Sequence, residues 1–175
     1  MSISVKLREY LDQNKIKYSL ITHSVAYTAQ ELAHKMHISG LEIAKVVIFK
    51  MDGRFAMAVM PAPHQIDFDR LKKATGAQRI ELATEKEFRN LFPDCDVGAM
   101  PPFGNLYGLP IYVAKPLEKD EYIVFNAGSH TDAIRMEYTE FTRLANPIVI
   151  DYTSTGKYNS QDGEAHRVGM RINLS

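Results

Sequence analysis

The chain has one cysteine, Cys95, and no tryptophan among 175 residues. A single thiol closes no internal disulfide and builds no cysteine zinc site. That excludes a disulfide-stapled scaffold and a zinc ribbon, and it points to a reducing compartment, the cytoplasm. Net charge is also missing: 21 Lys and Arg balance 21 Asp and Glu. No global field therefore draws the protein onto duplex DNA or an anionic membrane, and any nucleic-acid contact is local. The N-terminus, MSISVKLREYLDQNK, carries charge every few residues where a secretory signal has an apolar run. No stretch approaches the roughly 20 apolar residues that span a bilayer. Familiar catalytic strings are absent too. The six histidines form no HExxH or HxH pattern, no Ser/His/Asp spacing marks a triad, and no Gly-Lys-Ser/Thr marks a phosphate loop. No metal and no cofactor is implied, and neither DNA nor membrane is expected as a partner.

What is present suits one packed domain. With 45% apolar and 24% charged residues, a chain of this length buries about 70% of its extended surface and needs no covalent staples. Ile3, Leu7, Tyr10 and Leu11 paint one stripe on an opening helix. Tyr18 to Thr22 reads as a strand, and Thr28-Ala29-Gln30-Glu31 as a capping box that starts a second helix ended by Gly40. Ile43 to Met51, the turn pair Asp52-Gly53 and Arg54 to Met60 form a β-hairpin. If the turn pair is the loop, partners sum to 105, so Lys45 faces Met60 and shares a strand face with Val47 and Phe49.

Asp67 caps a helix that stops at Gly76, and Thr84 to Glu87 is a second capping box ahead of Phe88, Leu91 and Phe92. Further strands fit 110–113, 122–126, 133–138 and 148–151, with a short helix at 140–145. Short strands with interspersed helices and few βαβ alternations make the class α+β. Residues 1–151 are read as the domain. From 152 to 175 the composition turns polar and loses periodicity, as in an extended tail.

Three features stand out chemically. Lys45, inside Ile43-Ala44-Lys45-Val46-Val47, either snorkels its ammonium to water or keeps it in a partly dry site. The run Gly98-Ala99-Met100-Pro101-Pro102-Phe103-Gly104 has the composition that brings backbone N–H groups close to a ligand, and equally that of a structural turn. Asn126 to Asp132 is a polar loop around Gly128, with Ser129 and His130 in it. His23, ahead of the second helix, is a packing or hydrogen-bonding residue or a ligand contact. Phe88, Phe92, Tyr107 and Tyr112 read as core aromatics, and Arg70, Lys72, Lys73 and Arg79 as a basic cluster that serves phosphates or simply a solvated face.

Taken in order, His23 through Thr28, Lys45 in IAKVVIFK, 97–104 in VGAMPPFG and 126–132 in FNAGSHTD resemble the YbaK and prolyl-tRNA-synthetase-associated editing family over about residues 1–151. The resemblance implies a strongly curved, barrel-like mixed sheet flanked by helices. It also implies deacylation of mischarged aminoacyl-tRNA, with Lys45 as the catalytic lysine. By the same resemblance, Gly98 to Gly104 supplies backbone groups around the ester, and Gly128, Ser129 and His130 edge the site near the terminal adenosine. His23 and Thr28 belong to the substrate side. Ala99 and Pro101 stand where the cysteine-specific branch has Gly and Ser, which leans toward prolyl-type editors. Val46 is apolar where some alanine-specific relatives carry a polar residue.

The implied function is trans-editing of a small amino acid, with Ala-tRNA(Pro) as the reference substrate. The implied partners are the tRNA acceptor end and an aminoacyl-tRNA synthetase. The alternative is a non-catalytic tRNA-end or nucleotide-binding module docked on a synthetase.

Overall fold

Asp52 and Gly53 both take positive φ, 49° and 83°, as a type I′ turn requires. This fixes the central hairpin of the computed structural model, which describes residues 3–155. Strands β2 (Ala44–Met51) and β3 (Arg54–Pro61) pair from Ala44 with Pro61 to Met51 with Arg54, the register in which partners sum to 105. Before the hairpin come α1 (Val5–Gln13), β1 (Tyr18–Thr22) and α2 (Ala29–Met36). After it follow β4 (Gln65–Ile66), α3 (Phe68–Thr75), β5 (Ile80–Leu82), α4 (Glu85–Phe88) and β6 (Ile111–Ala114). The described chain closes with β7 (Tyr122–Asn126), β8 (Asp132–Glu137), α5 (Tyr138–Ala145), β9 (Ile148–Ile150) and β10 (Thr153–Ser154).

The α+β class holds. The strands form a mixed five-stranded sheet, β5-β2-β3-β6-β9, a three-stranded sheet, β1-β8-β7, and the pair β10-β4. In the larger sheet β5, β2 and β3 run antiparallel, whereas β3, β6 and β9 run parallel. A parallel bridge from Ile43 to Val124 links the start of the hairpin to β7. The end of β7, with the polar loop behind it, is thereby brought beside Lys45.

Both faces of β3 are covered, and alternation along it sorts the core. Met57 and Val59 join the main cluster with Leu7, Leu11, Phe103, Phe125 and Phe141. Ala56, Ala58 and Met60 pack on the other side with Phe49, Leu71 and Tyr112 under α3. A third cluster seats α2 through Leu32 and Ala33 on Ile43, Val124 and Ala133.

Several local expectations need correction. The Thr28 hydroxyl does accept from the Glu31 N–H, but the Glu31 carboxylate reaches the N–H of Tyr27 instead of Thr28, so that capping box is only half formed. The helix stops at His37, left-handed at φ 55°, and not at Gly40, which opens a 3-10 turn capped by Ser39. The box at Thr84 and Glu87 is complete, and Asp67 and Gly76 bound α3 as expected. The folded body also runs past residue 151. Tyr152 is fully buried, its hydroxyl donates to the Tyr112 carbonyl at 2.7 Å, and Thr153 pairs with Ile66. Residues 156–175 of the expected tail lie outside the described residues.

Candidate active site

Lys45 sits where the apolar face of β2 runs out. Met60 lies opposite it on β3, and two adjoining cavities share it as a wall. One, of about 310 Å³, is lined largely by apolar residues, Val47, Met60, Ala62, Ile66 and Leu82, with Thr28 and Gln30 also contributing. The other, of about 180 Å³, lies between the start of β2 and the glycine loops, where Val46, Gly98, Met100 and Asn126 line it with Tyr27.

The Lys45 ammonium forms no salt bridge among the described residues. Burial pushes its pKa below the ordinary 10.5, because removing water penalises the charged form. Of the two readings open for this lysine, the partly dry site is the one found. Its field reaches His64, a buried residue whose Nδ1 lies 2.8 Å from the Thr153 hydroxyl. Burial first, then the Lys45 charge, push the His64 imidazole below its usual value, with Asp151 pulling the other way. Lys50, five residues along the strand, is different: it is paired to Glu87 and Glu81.

The glycine loop divides. Gly98 and Met100 line the smaller cavity, and the Gly98 N–H, at φ 86°, donates only to the Met100 sulfur at 3.2 Å. A thioether is a weak acceptor, so this N–H is only weakly satisfied. Ala99 is fully buried behind them: its N–H donates to the Asp96 carbonyl, and its own carbonyl accepts from Gly128. Pro101, Pro102, Phe103 and Gly104 line neither cavity. Phe103 is a core ring packed edge-on against Phe125 and Phe141, and a Cβ on Gly104 would come within 3.2 Å of Ile111 and Leu109. All four are buried, and of the run 98–104 only Gly98 and Met100 line either cavity.

The polar loop shapes the cleft from behind. Gly128 has φ 105° and lies against Ser4, whose N–H donates to the Ala127 carbonyl at 2.7 Å. The Ser4 hydroxyl donates to Asp94 at 2.5 Å, and Tyr107 donates to the same carboxylate at 2.8 Å. Ser129 is buried and bonds Asp132 at 2.6 Å. His130 holds the Val97 carbonyl at 3.0 Å through Nε2, with its ring 5.0 Å from that of Tyr27. His23 donates its N–H to Thr131, and its Nδ1 meets the Ser24 carbonyl. Thus Lys45, Thr28, Gly98 and Met100 line the cavities, while His23, Gly128, Ser129 and His130 brace the loops around them. Tyr27 and Asn126 lie inside stretches that carry the family resemblance, 23–28 and 126–132, with no role of their own assigned there, and His64 has no reading from sequence. For His64 the sequence shows only a histidine directly after Pro61-Ala62-Pro63, with nothing to show its closeness to Lys45.

Of the basic cluster, Arg70 is committed to Asp151 at 2.6 Å and Arg79 to Glu81 at 3.1 Å, which leaves Lys72 and Lys73 exposed.

The aminoacyl-tRNA editing domain profile matches residues 23–144, a span that holds Lys45 and both glycine loops. The chain belongs to the aminoacyl-tRNA editing domain family. Within it, the editing domain described here is 26% identical over 156 residues to the multifunctional Ser/Thr-tRNA deacylase ProXp-y of Escherichia coli K12, covering 86% of this chain and 92% of that protein. It is 29% identical over 157 residues to the proline–tRNA ligase of Staphylococcus epidermidis RP62A, covering 84% of this chain but 27% of the ligase. The chain therefore corresponds to about a quarter of that enzyme. A solved structure described as a candidate trans-editing enzyme for prolyl tRNA synthetase superposes with a TM-score of 0.74 at 20% identity, covering 86% of this chain and 96% of the other. That likeness establishes the fold. No helix among the described residues is long and apolar enough to cross a membrane.

The chemistry open to this editing domain is not that of a cysteine nucleophile. Burial pushes the Cys95 thiol up to about 12, and its sulfur lies 3.4 Å from the Tyr107 hydroxyl. A thiol that stays protonated neither attacks an ester nor alkylates readily. Native protein is expected to resist iodoacetamide at mildly alkaline pH and to react once unfolded in urea. Rapid alkylation of the folded protein would show that the thiol is active.

Proposed function

We propose that the protein hydrolyses the ester of tRNA carrying a wrong, small amino acid, with Lys45 as the group that stabilises charge on the reacting carbonyl. The observation that carries this reading is the position of a partly dry ammonium, without a salt bridge among the described residues, at the junction of two cavities, one of which Gly98 also lines. An aminoacyl-adenosine end has the matching shape: an amino acid at one end, a base at the other, and the ester between them. The smaller cavity takes the aminoacyl group, and the larger apolar one takes the terminal nucleoside.

An aminoacyl ester is already activated, so positioning and electrostatics suffice. Water adds to the carbonyl carbon. The oxygen that becomes negative is met by the Lys45 ammonium and the Gly98 N–H. The acyl carbon–ribose oxygen bond then breaks, and the ribose oxygen leaves with a proton. The proton lost by water reaches the leaving ribose oxygen by way of the substrate's own amine or hydroxyl or along bound water; no side chain of the protein is assigned as base.

The family resemblance implies a small amino acid, with alanine as the reference. The ProXp-y likeness brings serine and threonine into the same size class. A pocket separates side chains differing by one methylene by only about 1–3 kcal/mol, so the decisive experiment is a panel. Release of free amino acid from Ala-, Ser-, Thr-, Cys- and Pro-charged tRNA is expected to exceed the spontaneous rate for one or more of the small residues. Retention of charged tRNA on a filter with no release from any member would instead establish a binding module.

A further inference from the structure

Asn126 ends β7, paired with Ala133, and is one of the residues that line the smaller cavity together with Lys45, Gly98 and Met100. Its Oδ1 is shut off from solvent and accepts no hydrogen bond among the described residues. Buried carbonyl oxygens are nearly always satisfied, and one left unmet beside a pocket gains a partner when it turns toward a donor that a ligand brings. Of the other residues of this wall, Tyr27 carries a hydroxyl that both donates and accepts, and two bring donors: the Lys45 ammonium and the Gly98 N–H. Both suit the carbonyl oxygen of an ester. Asn126 supplies the complementary group, an acceptor, for which an ester with a methyl side chain has nothing to offer.

Two donors on an aminoacyl group could answer it. The α-amine is common to every aminoacyl ester and so selects nothing. In its charged form it would stand beside the Lys45 ammonium in a cavity whose lining contains no carboxylate. A side-chain hydroxyl carries no such repulsion. Val46 and Met100 in the same wall keep the space small. The terminal torsion of an asparagine is broad and two-fold, so the carboxamide turns its oxygen to the cavity without any backbone change. We infer that Asn126 is a specificity-determining residue that selects a hydroxylated amino acid, serine or threonine, over alanine by accepting its hydroxyl. This rests on the deacylase reading and adds the chemistry of the side chain to it.

The test uses the full chain and one tRNA body charged in turn with serine, threonine and alanine, followed by single-turnover release. The wild-type protein is expected to favour the hydroxylated residues by about tenfold, the size of one hydrogen bond gained. Asn126→Leu keeps the branched shape and removes the acceptor, and it is expected to collapse the Ser/Ala and Thr/Ala rate ratios by about the same factor. Asn126→Ala carries the same comparison if the leucine variant fails to fold by thermal melting. Equal loss on all three substrates, or an unchanged ratio, overturns the role of Asn126 while leaving the deacylase reading standing. Wild-type protein that releases none of the three overturns both.

Discussion

Lys45→Ala is expected to lower deacylation by about 10²–10³-fold, the usual cost of removing one preorganised group from a developing oxyanion. The same variant is expected to melt at or above the wild-type temperature. The lysine has no carboxylate partner among the described residues, and its pKa in the folded protein lies below 10.5. In the window between the lowered value and 10.5 the unfolded chain binds more protons than the folded one. This group therefore costs stability at neutral pH, and that cost is relieved as pH rises through the lowered value. Removing it takes away a functional charge and a destabilising one together. Lys45→Arg is not a conservative control, because a planar guanidinium replaces a compact ammonium at a cavity junction. A large loss of melting temperature in Lys45→Ala would mean that the side chain is chiefly a packing residue.

Gly128→Ala is expected to be the most damaging loop substitution. At φ 105° an alanine is strained, and its Cβ would stand 2.8 Å from the backbone nitrogen of Ser4. Neither backbone gives way cheaply. Overpacking and a left-handed non-glycine residue each cost about 1–3 kcal/mol, so about 3 kcal/mol is expected. For a chain of this size that lowers the melting temperature by roughly 6–12 °C. The effect extends to the site. Ser4 joins Ala127 to Asp94, and the Gly128 N–H holds the Ala99 carbonyl, so displacing Ser4 loosens the segment that presents the Gly98 N–H. Gly98→Ala shares the backbone strain at φ 86° but meets only the His130 ring, at 3.6 Å. Its expected loss of stability is smaller. A melt for Gly128→Ala within a degree or two of wild type would show that the Ser4 contact is not the constraint described.

The elements that sequence made legible are those whose signals are local. Asp52-Gly53 demands a tight turn, and the turn then sets the whole Lys45–Met60 register. Asp67, Gly76 and the Thr84/Glu87 box announce helix ends through their own hydrogen bonds. The two-residue β4–β10 pair and the three-residue β5 carry no such signal, because their pairing depends on Tyr152 packing under β3 and on Asp52 accepting from the Gln78 and Arg79 N–H groups. His37 ends α2 in a conformation for which the nearby Gly40 looked the better candidate, because sequence shows only propensity and not where Ile43 must turn into the hairpin.

The site follows the same division. Lys45 was visible as a lysine in an apolar strand, but whether it met water depended on which strand end the glycine loops approached. Phe103 stood in a loop composed for ligand contact and proved to be core, because composition does not reveal which side of a loop faces inward. The unmet oxygen of Asn126 is a property of its surroundings alone.

The central claim is that catalysis uses the charge of a partly dry ammonium, and the alkaline side of the pH–rate profile tests it most directly. Protein-dependent single-turnover release, corrected for spontaneous ester loss, should fall with a midpoint below 10.5, the ordinary lysine value, and the limb should disappear in Lys45→Ala. A corrected rate that holds level or climbs through that value in the wild-type protein would mean that the Lys45 charge takes no part in the chemistry.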